Sequence, residues 1–298
     1  MKPQHACFLV LWLVSILIFA GPVGALLALS LHDDRYTYIA LIPLIVGGLL
    51  WLERRRILAH SESSPLAGAP LILIGILILA ATEARSLSLD SLWLVALGLV
   101  LIWNGAFISC YGLRSFRNAC FPLLLLLWIV PFPAALLDRV VVMLQAGSTE
   151  VAYFLLRLVH VPVLRHGFSL SLPGLEIEVA PECSGIRSAI SLLISGFVTG
   201  HLLLQSNWKK LSLMLCIAPV MILKNAVRIV TISLLGIYVD RGFLFGSLHR
   251  YGGLPFSLVA LTILIPLVWM LWKSEHSGVS SRQVPASSGV DLQSWTGR

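Results

Sequence analysis

Apolar residues fall along this chain in long blocks separated by short polar or charged stretches. A helix that crosses a bilayer needs about 20 mostly apolar residues to cover roughly 30 Å of hydrocarbon. Blocks at residues 8–29, 37–52, 66–82, 91–110, 120–137, 184–204, 211–236 and 254–272 predict an all-α polytopic membrane protein with about eight transmembrane helices. The first block has a basic start and small residues at Val23-Gly24-Ala25 but stays apolar through Leu31, so it reads as an uncleaved anchor rather than a signal peptide. Residues 1–272 read as a single integral-membrane domain without internal repeats. Residues 273–298, rich in Ser and Gly, read as a disordered cytoplasmic tail.

One connection is long and patterned differently. Residues 138–182 open with an apolar segment interrupted by Asp138, Arg139, Glu150 and Arg157, which predicts an amphipathic helix on or dipping into the outer leaflet. Apolar and polar residues then alternate at period two through Phe168–Leu172 and Leu175–Val179, on either side of Pro173-Gly174. That pattern predicts a short extracytoplasmic β-hairpin leading to Pro181-Glu182-Cys183.

Composition agrees with a lipid solvent. The 298 residues are 58% hydrophobic and only 12% charged, with mean hydropathy +0.91. A soluble domain carries about 25% charged residues. An ordinary soluble enzyme, a disordered chain and a nucleic-acid-binding protein are excluded. The net charge of +7 fits the positive-inside rule instead. With the N-terminus in the cytoplasm, the inside segments hold Lys2, Arg54–Arg56, Arg114, Arg117, Lys209, Lys210, Lys273, Arg282 and Arg298, 11 of the 21 basic residues. Ten of the fourteen acids fall elsewhere. Both termini are therefore expected inside, in the cytoplasmic (inner) membrane of a bacterium. A crossing by residues 140–160 would reverse the later segments, and the charge pattern disfavours it. Five cysteines without C-x-x-C spacing indicate neither a disulfide framework nor a zinc site.

Candidate chemistry concentrates late in the chain. Of the cysteines only Cys183 is expected on the outer face, at the start of a span and beside Ser184-Gly185. A helix N-terminus lowers a thiol pKa from about 8.5; the bland alternative is a small apolar residue opening a helix. Arg187, four residues on, shares its helix face, either serving the site or snorkelling to head groups. Lys224, Asn225 and Arg228 lie inside the span 211–236, where each charge costs about 2.5–3.5 kcal/mol. Arg228 is ten residues from the outer end near Tyr238, roughly 15 Å by helical rise. No other span offers a carboxylate at that depth, which points to an anion from a substrate or a transition state. A thiol nucleophile also needs a base. His249 is a candidate, and topology alone does not separate it from His166.

These residues, in order, resemble the exosortase/archaeosortase family. The resemblance runs over about 90–272: Phe121-Pro122-Leu123 through Pro131-Phe132-Pro133, Leu137-Asp138-Arg139, the hairpin, and Pro181-Glu182-Cys183-Ser184-Gly185-Ile186-Arg187. Asn225-Ala226-Val227-Arg228 is similar to the family's N-x-x-R element, and His249 with Gly253 to its final H-x-x-x-G element. The resemblance implies a membrane cysteine transpeptidase. Its partners would be exported proteins ending in a short motif such as Pro-Glu-Pro, a transmembrane helix and a basic cluster. Transfer would go through a thioester to a surface lipid or glycan acceptor. Cys183 would be the nucleophile, Arg228 the oxyanion or thiolate stabiliser and His249 the acid/base, with Glu182, Arg187 and Asn225 supporting and no cofactor or metal. Two other functions fit the composition. One is a non-catalytic transporter or assembly component for cell-surface polysaccharide, with Lys224 and Arg228 lining its path. The other is an intramembrane protease that only hydrolyses.

Overall fold

The computed structural model describes residues 3–59, 61–83, 89–180, 185–244 and 253–280. Its helices are α1 (Pro3–Ile18), α2 (Ala20–His32), α3 (Tyr38–Leu52), α4 (Arg54–Ile57), α5 (Pro65–Glu83), α6 (Leu89–Asn118), α7 (Cys120–Leu125), α8 (Ala134–Leu158), α9 (Ile186–Leu203), α10 (Asn207–Tyr238) and α11 (Gly253–Ser280). A three-stranded antiparallel sheet, β1 (Leu164–His166), β2 (Ser169–Leu172) and β3 (Leu175–Glu178), lies between α8 and α9 in sequence.

Six of these helices are long and apolar enough to cross a membrane, or seven if α1 and α2 count as one bent span. The expected first anchor is thus two helices meeting at 80°. Pro22 accounts for the break, because it lacks an N–H and its ring crowds the carbonyl of Ile18 four residues back. Two expected spans are short: α3 has 15 residues, and α7 continues only as a 3-10 turn over Leu126–Ile129. Pro131 and Pro133 separate that turn from α8. Conversely α8, expected to lie on the outer leaflet, has the length and composition of a span. At its other limit, α11 runs on to Ser280, beyond the apolar block ending at 272.

Side-chain contacts define two ends of the bundle. At one, the Arg56 guanidinium donates to the Asn118 carbonyl (3.0 Å) and His201 Nε2 meets Glu53 Oε1 (2.6 Å). There the His201 ring stacks on Phe121 with centroids 3.9 Å apart, and Glu275 accepts the backbone N–H of Gln205 and Ser206 (3.0 and 2.9 Å). His5 and Tyr111 join the same end at 2.9 Å. Arg54–Arg56, Lys209, Lys210 and Lys273 accompany these contacts, so this is the basic end. The opposite end carries the sheet. From Phe121 the chain climbs through Trp128, against Phe197 of α9, and α8 to the sheet, so residues 120–158 make one interrupted passage between the two ends.

Helix α6 is the hub of the N-terminal half: 72% of its most apolar stretch is buried, against 22% for α5. The two pack closely because glycines face each other. A side chain at Gly68 would meet the Gly105 carbonyl at 2.2 Å, and one at Gly75 the Gly98 carbonyl at 2.7 Å. Such small-residue contacts are how helices associate where lipid removes the hydrophobic drive.

The expected hairpin is present, with Leu172 opposite Leu175 and Ser169 opposite Glu178 around the Pro173-Gly174 turn. β1 extends it by a strand not foreseen in sequence, pairing Leu164 with Ser171. Leu170, Leu172 and Val179 bury against Ala152 and Leu156 of α8 and Ala226, Ile229 and Val230 of α10. The sheet therefore sits on the half of α10 that follows its charged residues.

Candidate active site

The site is built where α9 begins against the middle of α10. Gly185, the residue before α9, has φ 78° and ψ 18°, a left-handed conformation in which only glycine is unstrained. A Cβ there would lie 3.3 Å from Asn225 Oδ1. The Gly185 carbonyl accepts the Ala189 N–H (2.9 Å), starting the helix, and also the Ser188 hydroxyl (2.9 Å). Lys224 Nζ of α10 in turn donates to Ser188 Oγ. Lys224 and Asn225 are 4% and 1% exposed. Burying an ammonium is tolerable only with hydrogen-bonding partners, and Ser188 provides one. Small residues keep the antiparallel pair close below this level: Gly196 packs on Ile217 and Gly200 on Leu213.

Arg228 follows Lys224 by four residues, so it shares that face, about 6 Å further toward the sheet; it is half-buried. Arg187 is exposed on the first turn of α9, and its carbonyl accepts the Ser191 hydroxyl at 3.0 Å. Of the residues expected at the site, the structure thus brings Asn225 onto the Gly185 turn, with Arg228 a turn away. Glu182, Cys183 and His249 lie outside the described residues. The described chain flanking them meets the second half of α10 and the turn of the sheet. Gly185 abuts Asn225, Phe256 near the start of α11 packs with Ile232 beside Val227, Leu175 and Ile177, and the Arg241 guanidinium donates to the Gly174 carbonyl at 3.0 Å.

Two polar residues escaped the sequence reading. Ser188 is one of many helix serines, and only the register of α9 on α10 makes it Lys224's acceptor. Gln145 of α8 is 4% exposed and donates from Nε2 to the Val179 carbonyl, tying α8 to the strand that leads to the site. A glutamine in an apolar stretch was the available signal. A separate groove between α9, α10 and α11, lined by Leu192, Leu213, Leu264, Trp269 and Trp272 among others, has no ionisable side chain in its lining.

A bundle of six or seven candidate spans, with buried polar side chains joining two helices at mid-length, defines a polytopic membrane protein with a polar site sunk among its helices. The family model described as transmembrane exosortase (Exosortase_EpsH) matches residues 30–266, and the chain belongs to that family. Membership implies a PEP-CTERM sorting transpeptidase. The match reaches well beyond the motif-bearing part, into the N-terminal helices where the sequence offered no motif. No curated protein and no solved structure matches the chain.

Proposed function

We propose that this protein is a cysteine transpeptidase that cleaves the C-terminal sorting signals of exported proteins, with Cys183 as nucleophile, Arg228 as oxyanion stabiliser and His249 as acid/base. One juxtaposition carries the proposal: the left-handed turn at Gly185 is seated on Asn225, with Arg228 one turn away. Cys183 precedes Gly185 by two residues, at most about 7 Å of extended chain. A peptide carbonyl held between them is within reach of both thiol and guanidinium. His249 is tethered between Leu244 and Gly253, and Phe256 near the start of α11 packs with Ile232, one turn of α10 beyond Arg228.

The chemistry follows from these residue types. The Cys183 thiolate attacks the scissile carbonyl, and Arg228 offsets the charge that develops on its oxygen in a site of low dielectric. The tetrahedral adduct collapses, the C–N bond breaks, and the departing amine takes a proton from the His249 imidazolium. A thioester remains on Cys183. An acceptor amine, hydroxyl or water gives its proton to the now neutral His249 and attacks the thioester, regenerating the thiolate. Arg187, Asn225 and Glu182 support this arrangement. Gathering of the basic residues at the opposite end of the bundle supports an extracytoplasmic site in the cytoplasmic membrane.

The test is co-expression with a reporter ending in a Pro-Glu-Pro motif, a transmembrane helix and a basic cluster. Wild type is expected to shorten the reporter. Cys183→Ala is expected to abolish cleavage, and His249→Ala to slow it without build-up of a hydroxylamine-sensitive acyl-enzyme, because the departing amine loses its proton donor. Processing that survives both Cys183→Ala and Cys183→Ser would overturn cysteine catalysis.

A further inference from the structure

Lys224 has no task in the reaction above, yet it is a charged residue only 4% exposed at mid-helix. An apolar side chain of similar length would meet no desolvation cost there, so packing does not account for it. Its described hydrogen bond runs to Ser188 Oγ on α9, and Ser188 makes a bond to the Gly185 carbonyl at 2.9 Å. A serine hydroxyl has a single proton, and an ammonium only donates. With the hydroxyl proton on the Gly185 carbonyl, the Ser188 lone pairs face Lys224, and the two bonds share one direction, from Nζ to Oγ to the peptide oxygen. The same carbonyl accepts the first helical N–H of α9, from Ala189. From the other side, Asn225 fills the space that Gly185 leaves by lacking a side chain. Two consecutive residues of α10 thus grip one left-handed turn.

We propose that Lys224 and Ser188 are positioning residues, a two-bond relay that locks the Gly185 turn and thereby orients the chain carrying the nucleophile two residues earlier. This rests on the cysteine transpeptidase proposal and deepens it. Neither residue touches the reacting atoms. A through-space effect of the lysine charge on the thiol would need Lys224 alone; the relay needs both residues equally.

The test uses the full-length protein in detergent micelles: wild type, Lys224→Met, Ser188→Ala, the double variant, and Ser188→Thr, which keeps the hydroxyl. The first readout is the pH dependence of Cys183 alkylation by iodoacetamide, followed by mass spectrometry of the peptide that contains it. The second is steady-state processing of the sorting-signal reporter. Both single variants are expected to move the alkylation midpoint upward by the same amount and to lower kcat at least tenfold, with KM within about twofold. The double variant is expected to match the slower single, and Ser188→Thr to regain at least half of the wild-type kcat. A midpoint shift in Lys224→Met alone, multiplying losses in the double variant, or a loss confined to KM would overturn the relay. If Lys224→Met does not fold, Lys224→Gln replaces it in the same comparison. Unprocessed reporter in wild type with the paired alkylation shifts intact would sink the transpeptidase proposal and leave the relay standing.

Discussion

A cation persists inside a bilayer-spanning helix only where the fold meets its need for hydrogen bonds, and α10 carries two of them one turn apart. Their surroundings assign different tasks. Lys224 is enclosed and bonded to a neighbouring helix, whereas Arg228 is half-buried, on the same face and nearer the sheet. Arg228→Gln is therefore expected to lower kcat and kcat/KM together by about 10²–10³-fold, the loss typical of an oxyanion donor. Arg228→Lys should recover only part of that, because an ammonium lacks the planar fork. Reporter kinetics would show both, and equal activity of the lysine and arginine forms would count against the oxyanion role. Gly185→Ala forces an L side chain into a left-handed conformation, at a cost of about 1–2 kcal/mol, and toward Asn225. It should lower the melting temperature and slow processing; an unperturbed variant would show that the turn is not held as described.

Two polar contacts, one in the turn between α2 and α3 and one on α8, can be tested singly. The turn between α2 and α3 is capped by Asp33, which accepts the Arg35 N–H at 2.9 Å and pairs with its guanidinium at 2.8 Å. Arg35 also reaches Asp138 of α8 at 3.5 Å. The hydrogen bonds from Arg35 hold the Asp33 carboxyl below its ordinary value of 3.8. A carboxyl with a depressed folded-state pKa stabilises fully above its unfolded pKa and loses that contribution as pH falls through the folded one. The melting-temperature gap between wild type and Asp33→Asn should thus be constant above about pH 5 and close below about pH 4. A gap that widens on acidification would contradict the pairing. In α8, Gln145→Leu leaves the buried Val179 carbonyl without its donor, a loss of about 1–3 kcal/mol. Thermal unfolding in detergent would measure it, and the hairpin should become the first region to exchange its amide protons.

For the whole molecule, the Glu53–His201–Phe121 contacts join α3, α7 and α9 at the basic end, far from the Gly185 turn. In intact cells a cysteine introduced as Glu176→Cys, on β3, is expected to react with a membrane-impermeant maleimide, and Gln205→Cys to react only after permeabilisation. The reverse result would put the sheet and the proposed nucleophile in the cytoplasm.

Much of this was legible in one dimension. Long apolar blocks can satisfy their backbone in lipid only as helices, so the helical class followed from the pattern alone. Period-two alternation around Pro173-Gly174 located the hairpin, and the cost of intramembrane charge singled out Lys224 and Arg228, with Asn225 between them. Blocks broken by proline were harder to read, because α7 and α8 together make a passage that the pattern divided into a span and a surface helix. What only the tertiary structure decided is which side chains meet: Ser188 with Lys224, 36 residues apart, Gly68 with Gly105, and Glu53 with His201. The physical reason is that a helix surrounded by lipid and protein is apolar on every side, so no periodicity marks its buried face. Partner choice then rests on close steric fit and a few polar bonds, which exist only once the helices are packed.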